Sequence, residues 1–253
     1  MYNKYNWLLL IMVIGVLSFF IIGGCDGGGG CPVPNLDIVL CDPVPGRFTT
    51  DIDNKFFPVV PGSMSTLEDD ILLEITVPDD IEVVAGIETR VLVEDEFEGD
   101  SHIESTRNFF AQVQEGQEGA GTVYYFGEDA DICPDGLEPD GDGFLCNGKE
   151  PDHEGSWRAG VNGNSPGIFM PADPQVGDIF QQEVAPGIAE DLAEVIELGE
   201  PIDVPAGMFN DTLELKECNP LEGGATDTKV FVGTPHIGTA IDGDAELVEF
   251  FIP

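Results

Sequence analysis

The chain reads as a mainly β protein, a curved antiparallel sheet in the form of an open half-barrel or a sandwich, and three observations predict it. From Phe48 to the carboxyl end, short segments with apolar/polar alternation or β-branched character recur. Turn formers separate them, among them Pro78-Asp79-Asp80, Glu98-Gly99-Asp100-Ser101, Pro205-Ala206-Gly207 and Asp242-Gly243-Asp244. No unit of about 20 to 50 residues repeats with a fixed signature, which sets aside solenoids and propellers. The length of 253 residues suits one domain, and 16 Phe with many Val, Ile and Leu suffice for a core.

The first element is a signal. Lys4 charges an n-region, Trp7 to Ile22 form an apolar h-region, and Ile22-Gly23-Gly24 put small residues ahead of Cys25. The order resembles the lipobox of bacterial lipoproteins, which implies cleavage after residue 24 and acylation of Cys25. A spanning helix needs about 17 apolar residues. The break into Asp26-Gly27-Gly28-Gly29-Gly30 flanks such a helix poorly and suits a tether well. The expected organisation is therefore a signal peptide at 1–24, a Gly/Pro-rich tether at 25–46 and a β domain at 47–253. Two or more acyl chains hold a protein on a membrane, so the expected location is the bacterial cell envelope, on the periplasmic face or the cell surface.

After residue 24 the chain keeps all 49 acidic side chains and eight basic ones. Such a field repels phosphates and excludes nucleic acid as a partner. It admits the membrane through the lipid anchor, and as further partners a divalent cation, a basic protein or an apolar small molecule.

The strands follow in order. Leu72 to Val77 and Ile81 to Val84 lead into Ile87 to Phe97, whose hairpin partner is His102 to Gln114, and Thr122 to Phe126 follows. In the second half come Asp178 to Val184, Ile202 to Val204, Thr212 to Glu217, Thr226 to Val232, Ile237 to Ile241 and Glu246 to Ile252. Residues 188–198 are ambiguous: Ile188, Leu192, Val195 and Ile196 have helical spacing, whereas their place among strands argues for a strand.

Residues 128–154 differ from their surroundings, being acidic, rich in Gly and Pro, and bracketed by cysteines; they read as an insertion between strands. Export permits disulfides. Cys133 with Cys146 is the favoured pair because it closes a loop with little else to hold it. Cys31 with Cys41 comes next, leaving Cys218 free, although Cys218 can displace either partner. Within the insertion, Asp129, Asp131, Asp135, Asp140 and Asp142 alternate with turn-permitting glycines, a pattern suited to wrapping oxygens around Ca²⁺. The match to an EF-hand loop is partial, since Cys133 stands at position 3 and position 12 lacks the bidentate Glu.

Several segments are similar to an uncharacterised family of bacterial exported proteins. They are Asn54-Lys55-Phe56-Phe57-Pro58-Val59-Val60-Pro61-Gly62, Val123-Tyr124-Tyr125-Phe126-Gly127-Glu128-Asp129, Ser156-Trp157-Arg158-Ala159-Gly160-Val161, and Pro166-Gly167-Ile168-Phe169-Met170-Pro171-Ala172. The resemblance implies a curved sheet like the half-barrel of periplasmic lipoprotein carriers, favours a strand at 188–198, and implies no activity. The cysteine-bracketed insertion departs from that pattern.

Catalytic motifs fail on chemistry. Gly163-Asn164-Ser165-Pro166-Gly167 fits the nucleophile elbow, but Pro166 has no N–H for an oxyanion hole. His102, His153 and His236 are scattered and lack zinc-site spacing. Tyr124, Tyr125, Phe126, Trp157 and Phe169 either fill a core or line a ligand cavity on the concave face. The expectation is a non-enzymatic ligand- or partner-binding envelope module. The alternatives are an adhesive or structural protein with a Ca²⁺-stabilised loop and, third, a carboxylate-based hydrolase.

Overall fold

Alternation along the strands forces one face of each inward, and here the strands curl until their sheet almost meets itself. The structure is a computed structural model that describes residues 30–36, 44–141 and 143–253, and among these every regular element is a strand or turn. The signal residues 1–24, Cys25, Cys41 and Asp142 lie outside the described residues.

The main sheet is 16-stranded and its ladders are antiparallel. Its path starts at Ile179–Gln181 and continues through Leu192–Leu198, Thr212–Asn219, Ala225–Val232, Gly238–Asp242 and Ala245–Phe251. It then crosses to Met64–Glu68, Leu72–Thr76, Ile87–Glu98, Ser101–Val113, Val123–Ile132 and Ser165–Met170, and ends at Glu183–Val184. The two edges are thus one stretch of chain interrupted by Gln182: Ile179–Gln181 pairs with one side and Glu183–Val184 with the other. The sheet is nearly closed into a barrel, which carries the predicted curvature past a half-barrel and removes most of its exposed edge.

The core runs through the barrel. Phe109, Phe126, Phe180, Phe231, Leu67, Met170, Leu213, Leu215 and Leu247 are out of contact with solvent. Phe57 is brought to the interior by Asn54, whose Oδ1 accepts from the Phe56 and Phe57 amides at 3.0 and 3.2 Å and whose Nδ2 donates to the carbonyls of Gly121 and Pro171. There the Phe57 ring lies 4.3 Å from Phe169, 4.9 Å from Phe110 and 6.2 Å from Phe231, centroid to centroid.

The ambiguous segment is a strand over Leu192–Leu198. Its register with Thr212–Asn219 slips between Val195 and Glu197, so Ile196 is an extra residue. A bulge of this kind spaces apolar residues unevenly, and that is what imitates a helical period.

The Cys133–Cys146 disulfide is present and closes over the hairpin of Leu137–Asp140 with Gly143–Cys146. The strand Val123–Ile132 runs through residue 132, so the acidic excursion begins at Cys133 rather than at 128. Cys31 is bonded to Cys218, which corrects the expected Cys31–Cys41 pairing and the free Cys218. The physical reason lies in Asn35: its Nδ2 donates to Gly177 O at 2.8 Å, its Oδ1 accepts from Ile179 N at 2.8 Å, and its own amide donates to Ile179 O. These bonds lay residues 31–36 along the barrel wall, although composition alone reads them as tether.

Candidate functional site

Inside the barrel the inward faces change from apolar to charged. On Ile87–Glu98, Leu92 is followed two residues on by Glu94; on Ala225–Val232, Phe231 is preceded by Lys229; on Thr212–Asn219, Leu215 is followed by Glu217. Two bulges add residues that strict alternation would send outward. Asn108 faces Glu128 and Phe110 faces Tyr125, so Phe126-Gly127 opposes Phe109 alone, and Tyr125 and Glu128 both point in. Gly127 holds φ +123°, and a Cβ there would sit 2.1 Å from the Trp157 carbonyl oxygen, so only glycine fits. The second bulge, against Val230-Phe231, brings Thr239 and Asp242 to the same face.

These residues enclose a cavity of about 140 Å³. The rings of Phe57, Phe110, Tyr125, Phe169 and Phe231 share its wall with Glu94, Glu128, Glu183, Asp191, Glu217 and Asp242, and Lys229 is its one cation among the described residues. Lys229 Nζ is 3.2 Å from Asp242 Oδ2 and 3.5 Å from Glu217 Oε2. Along the wall runs a hydrogen-bonded chain: Asn108 Nδ2 donates to Glu94 Oε2 at 3.0 Å, Asn108 Oδ1 accepts from Tyr125 Oη, and Tyr125 Oη lies 2.5 Å from Glu128 Oε2. Asp191 Oδ1 is shielded from solvent and has no hydrogen-bond partner among the described residues.

Crowded carboxylates away from bulk water bind protons more tightly than exposed ones do. Burial raises Glu128 to about 7 and Glu94 to about 6, and burial with the nearby Glu217 raises Asp191 to about 6. Glu183 is pushed well above the usual carboxylate range by burial and then by Glu128. Lys229 moves the other way for a buried amine, well above its ordinary value, because Asp242, Glu217 and Glu94 outweigh its burial.

Of the predicted calcium residues, Asp129, Asp131, Asp135 and Asp140 are among the described residues, and they do not gather into a metal-holding group. Asp129 is gripped by Arg158, whose Nε donates to Oδ1 at 2.9 Å and whose Nη2 reaches Oδ2, while Nη1 bonds Glu82 Oε1 at 2.9 Å. Asp131 faces His153 Nδ1 at 3.1 Å, Asp135 Oδ2 accepts from Asn147 at 3.3 Å, and Asp140 pairs with Gly143 across the hairpin. Among the described residues no group of three or more His, Cys, Asp or Glu is arranged to hold a metal ion. His102 pairs with Asp95 at 3.0 Å and His236 sits in a turn at φ 66°, apart from one another. Ser165 lies within a strand, opposite Val184, with no turn into a helix.

The aromatic residues divide. Tyr125 and Phe169 line the cavity, whereas Phe126 and Trp157 are packed in the core, Trp157 with its ring 5.4 Å from Tyr125. Reading the sequence missed Glu94, Asn108, Glu128, Glu183, Asp191, Glu217, Lys229 and Asp242. A signal existed: in Leu92-x-Glu94 and Lys229-x-Phe231 a charge occupies the apolar phase of a strand. No family model, curated protein or solved structure matches the chain.

Proposed function

We propose that the chain is an exported, lipid-anchored module of the bacterial cell envelope that binds a small ligand inside its barrel and does not transform it. The cavity carries this reading. It is concave, held mostly by strands, and combines aromatic rings with a few directed polar groups, the composition of a ligand pocket. The anchor rests on the Lys4 to Cys25 signal.

The test has two parts. Full-length protein should partition with membranes and its Cys25→Ser variant should not. Thermal melting of the full chain is then followed with a panel of neutral, anionic and cationic small molecules, beside a Thr239→Trp variant whose indole fills the cavity. At least one compound should raise the melting temperature of the wild type and leave the filled variant unmoved. A panel without effect, or one acting equally on both proteins, overturns the binding role.

A further inference from the structure

We infer that the ligand of the barrel cavity is a compact organic cation, an ammonium group carried on an apolar ring or short chain. The inference rests on the binding role proposed above and names its ligand class.

Charge balance comes first. Lys229 is committed to Glu217 and Asp242. Glu94, Glu128, Glu183 and Asp191 have no Lys, Arg or His within 4 Å among the described residues. A buried charge is costly unless paired, so one half of the cavity is compensated and the other is open to a cation from outside. Asp191 also lines the cavity, and its Oδ1 is a solvent-shielded acceptor without a donor among the described residues.

Competing classes fit less well. An anion would meet the uncompensated carboxylates at short range. A bare metal ion needs several oxygens converging at about 2.0 to 2.6 Å, and no such cluster is present among the described residues. An uncharged apolar ligand would cover the rings but strip water from the acids and give them nothing in return. An ammonium on an apolar body meets both surfaces, the acids by charge-assisted hydrogen bonds and the rings by dispersion and cation–π attraction. The volume also suits it: a cavity of about 150 Å³ admits benzene, and this one holds about 140 Å³.

Isothermal titration of the full-length protein, at matched ionic strength, decides the matter with four probes: benzylammonium chloride, benzyl alcohol, sodium benzoate and calcium chloride. Benzylammonium should bind once per chain and about tenfold or more tighter than benzyl alcohol. Glu128→Gln with Asp191→Asn should weaken it by about tenfold while leaving a cooperative melt. Glu183→Gln gives an independent variant should that pair fail to fold. Tighter binding of benzyl alcohol or benzoate, abolished by Thr239→Trp, would keep the cavity as a binding site and overturn the cationic class. Calcium displacing benzylammonium at one ion per chain would overturn it in favour of a metal site. Benzylammonium binding that survives both the carboxylate changes and Thr239→Trp would mark adsorption to the acidic surface and overturn it. Absence of binding by any probe overturns it as well, and the wider melting panel then shows whether the cavity binds another class.

Discussion

Tyr125 Oη lies 2.5 Å from Glu128 Oε2 and also within hydrogen-bonding reach of Asn108 Oδ1, so one phenolic proton faces two acceptors. With no cation in the cavity the conflict resolves when Glu128 is protonated: its O–H donates to Tyr125, and the phenol donates onward to Asn108. A carboxyl raised by burial to about 7 is suited to that state. Tyr125→Phe strands Asn108 Oδ1 and Glu128, and the expected loss is about 1–3 kcal/mol in urea unfolding. An unchanged midpoint would remove the chain of bonds from the account.

Stability should fall as pH rises from about 4.5 to about 7. Glu94, Glu96, Glu104, Glu128, Glu183, Asp191 and Glu217 are all raised in the folded barrel, with Glu96 at about 7. The folded state therefore binds more protons than the unfolded chain in that window, and the advantage is lost as pH passes the folded values. Melting temperatures at pH 5, 6, 7 and 8 at constant salt check the sign. Glu96→Gln with Glu128→Gln should flatten the decline, which separates the buried acids of the barrel from the general surface charge.

Lys229→Met should be far more damaging than its area implies. It leaves Glu217 and Asp242 without their cation, and breaking such a pair costs about 3–5 kcal/mol. Adding Glu217→Gln and Asp242→Asn to the same protein should restore much of that loss. A triple variant no more stable than Lys229→Met would show that packing of the lysine stem, not charge, is what the barrel needs.

Gly127→Ala places a Cβ 2.1 Å from the Trp157 carbonyl oxygen at φ +123°. The bulge must open, turning Glu128 away from the cavity, so the variant should unfold at markedly lower urea and lose any cavity ligand. A normal unfolding midpoint would mean that the bulge yields easily.

Cys31→Ser with Cys218→Ser removes a bridge across 187 positions of sequence. In the chain-entropy description a loop of that size is worth about 5 kcal/mol. Urea unfolding of the double variant measures it, and peptide mapping of the unaltered protein without reductant should recover Cys31 and Cys218 in one linked fragment.

How far the fold could be read depended on whether local pattern and tertiary role agreed. Ile87 to Phe97 and its hairpin partner are rich in β-branched and aromatic residues and are joined by a turn at Gly99, so their pairing was legible. The Cys133–Cys146 bond followed from short loop closure, a local matter. Cys31–Cys218 was not legible, because it depends on Asn35 docking at Gly177 and Ile179, contacts more than 140 residues apart. The cavity was hidden for a similar reason. Each of its carboxylates, in a chain with 49 acidic residues, looks like solvated surface, and Glu128 and Asp242 reach the inside only through the bulges at Gly127 and near Ala240. The carboxylates of the insertion drew attention by their density, yet Arg158 and His153 already engage two of them.

The Cys31–Cys218 bond also sets a load path. Tension applied to the chain ahead of Cys31 enters the barrel at Cys218, on a strand laddered on both sides by Leu192–Leu198 and Ala225–Val232. Force is thus delivered near one end of an internal strand of the hydrogen-bonded wall, and it bypasses the short pairings near Phe48 and Ile52. Reduction of that single bond reroutes the pull first to the few hydrogen bonds that hold Asn35 and Leu36 at Gly177 and Ile179, and only then to those pairings.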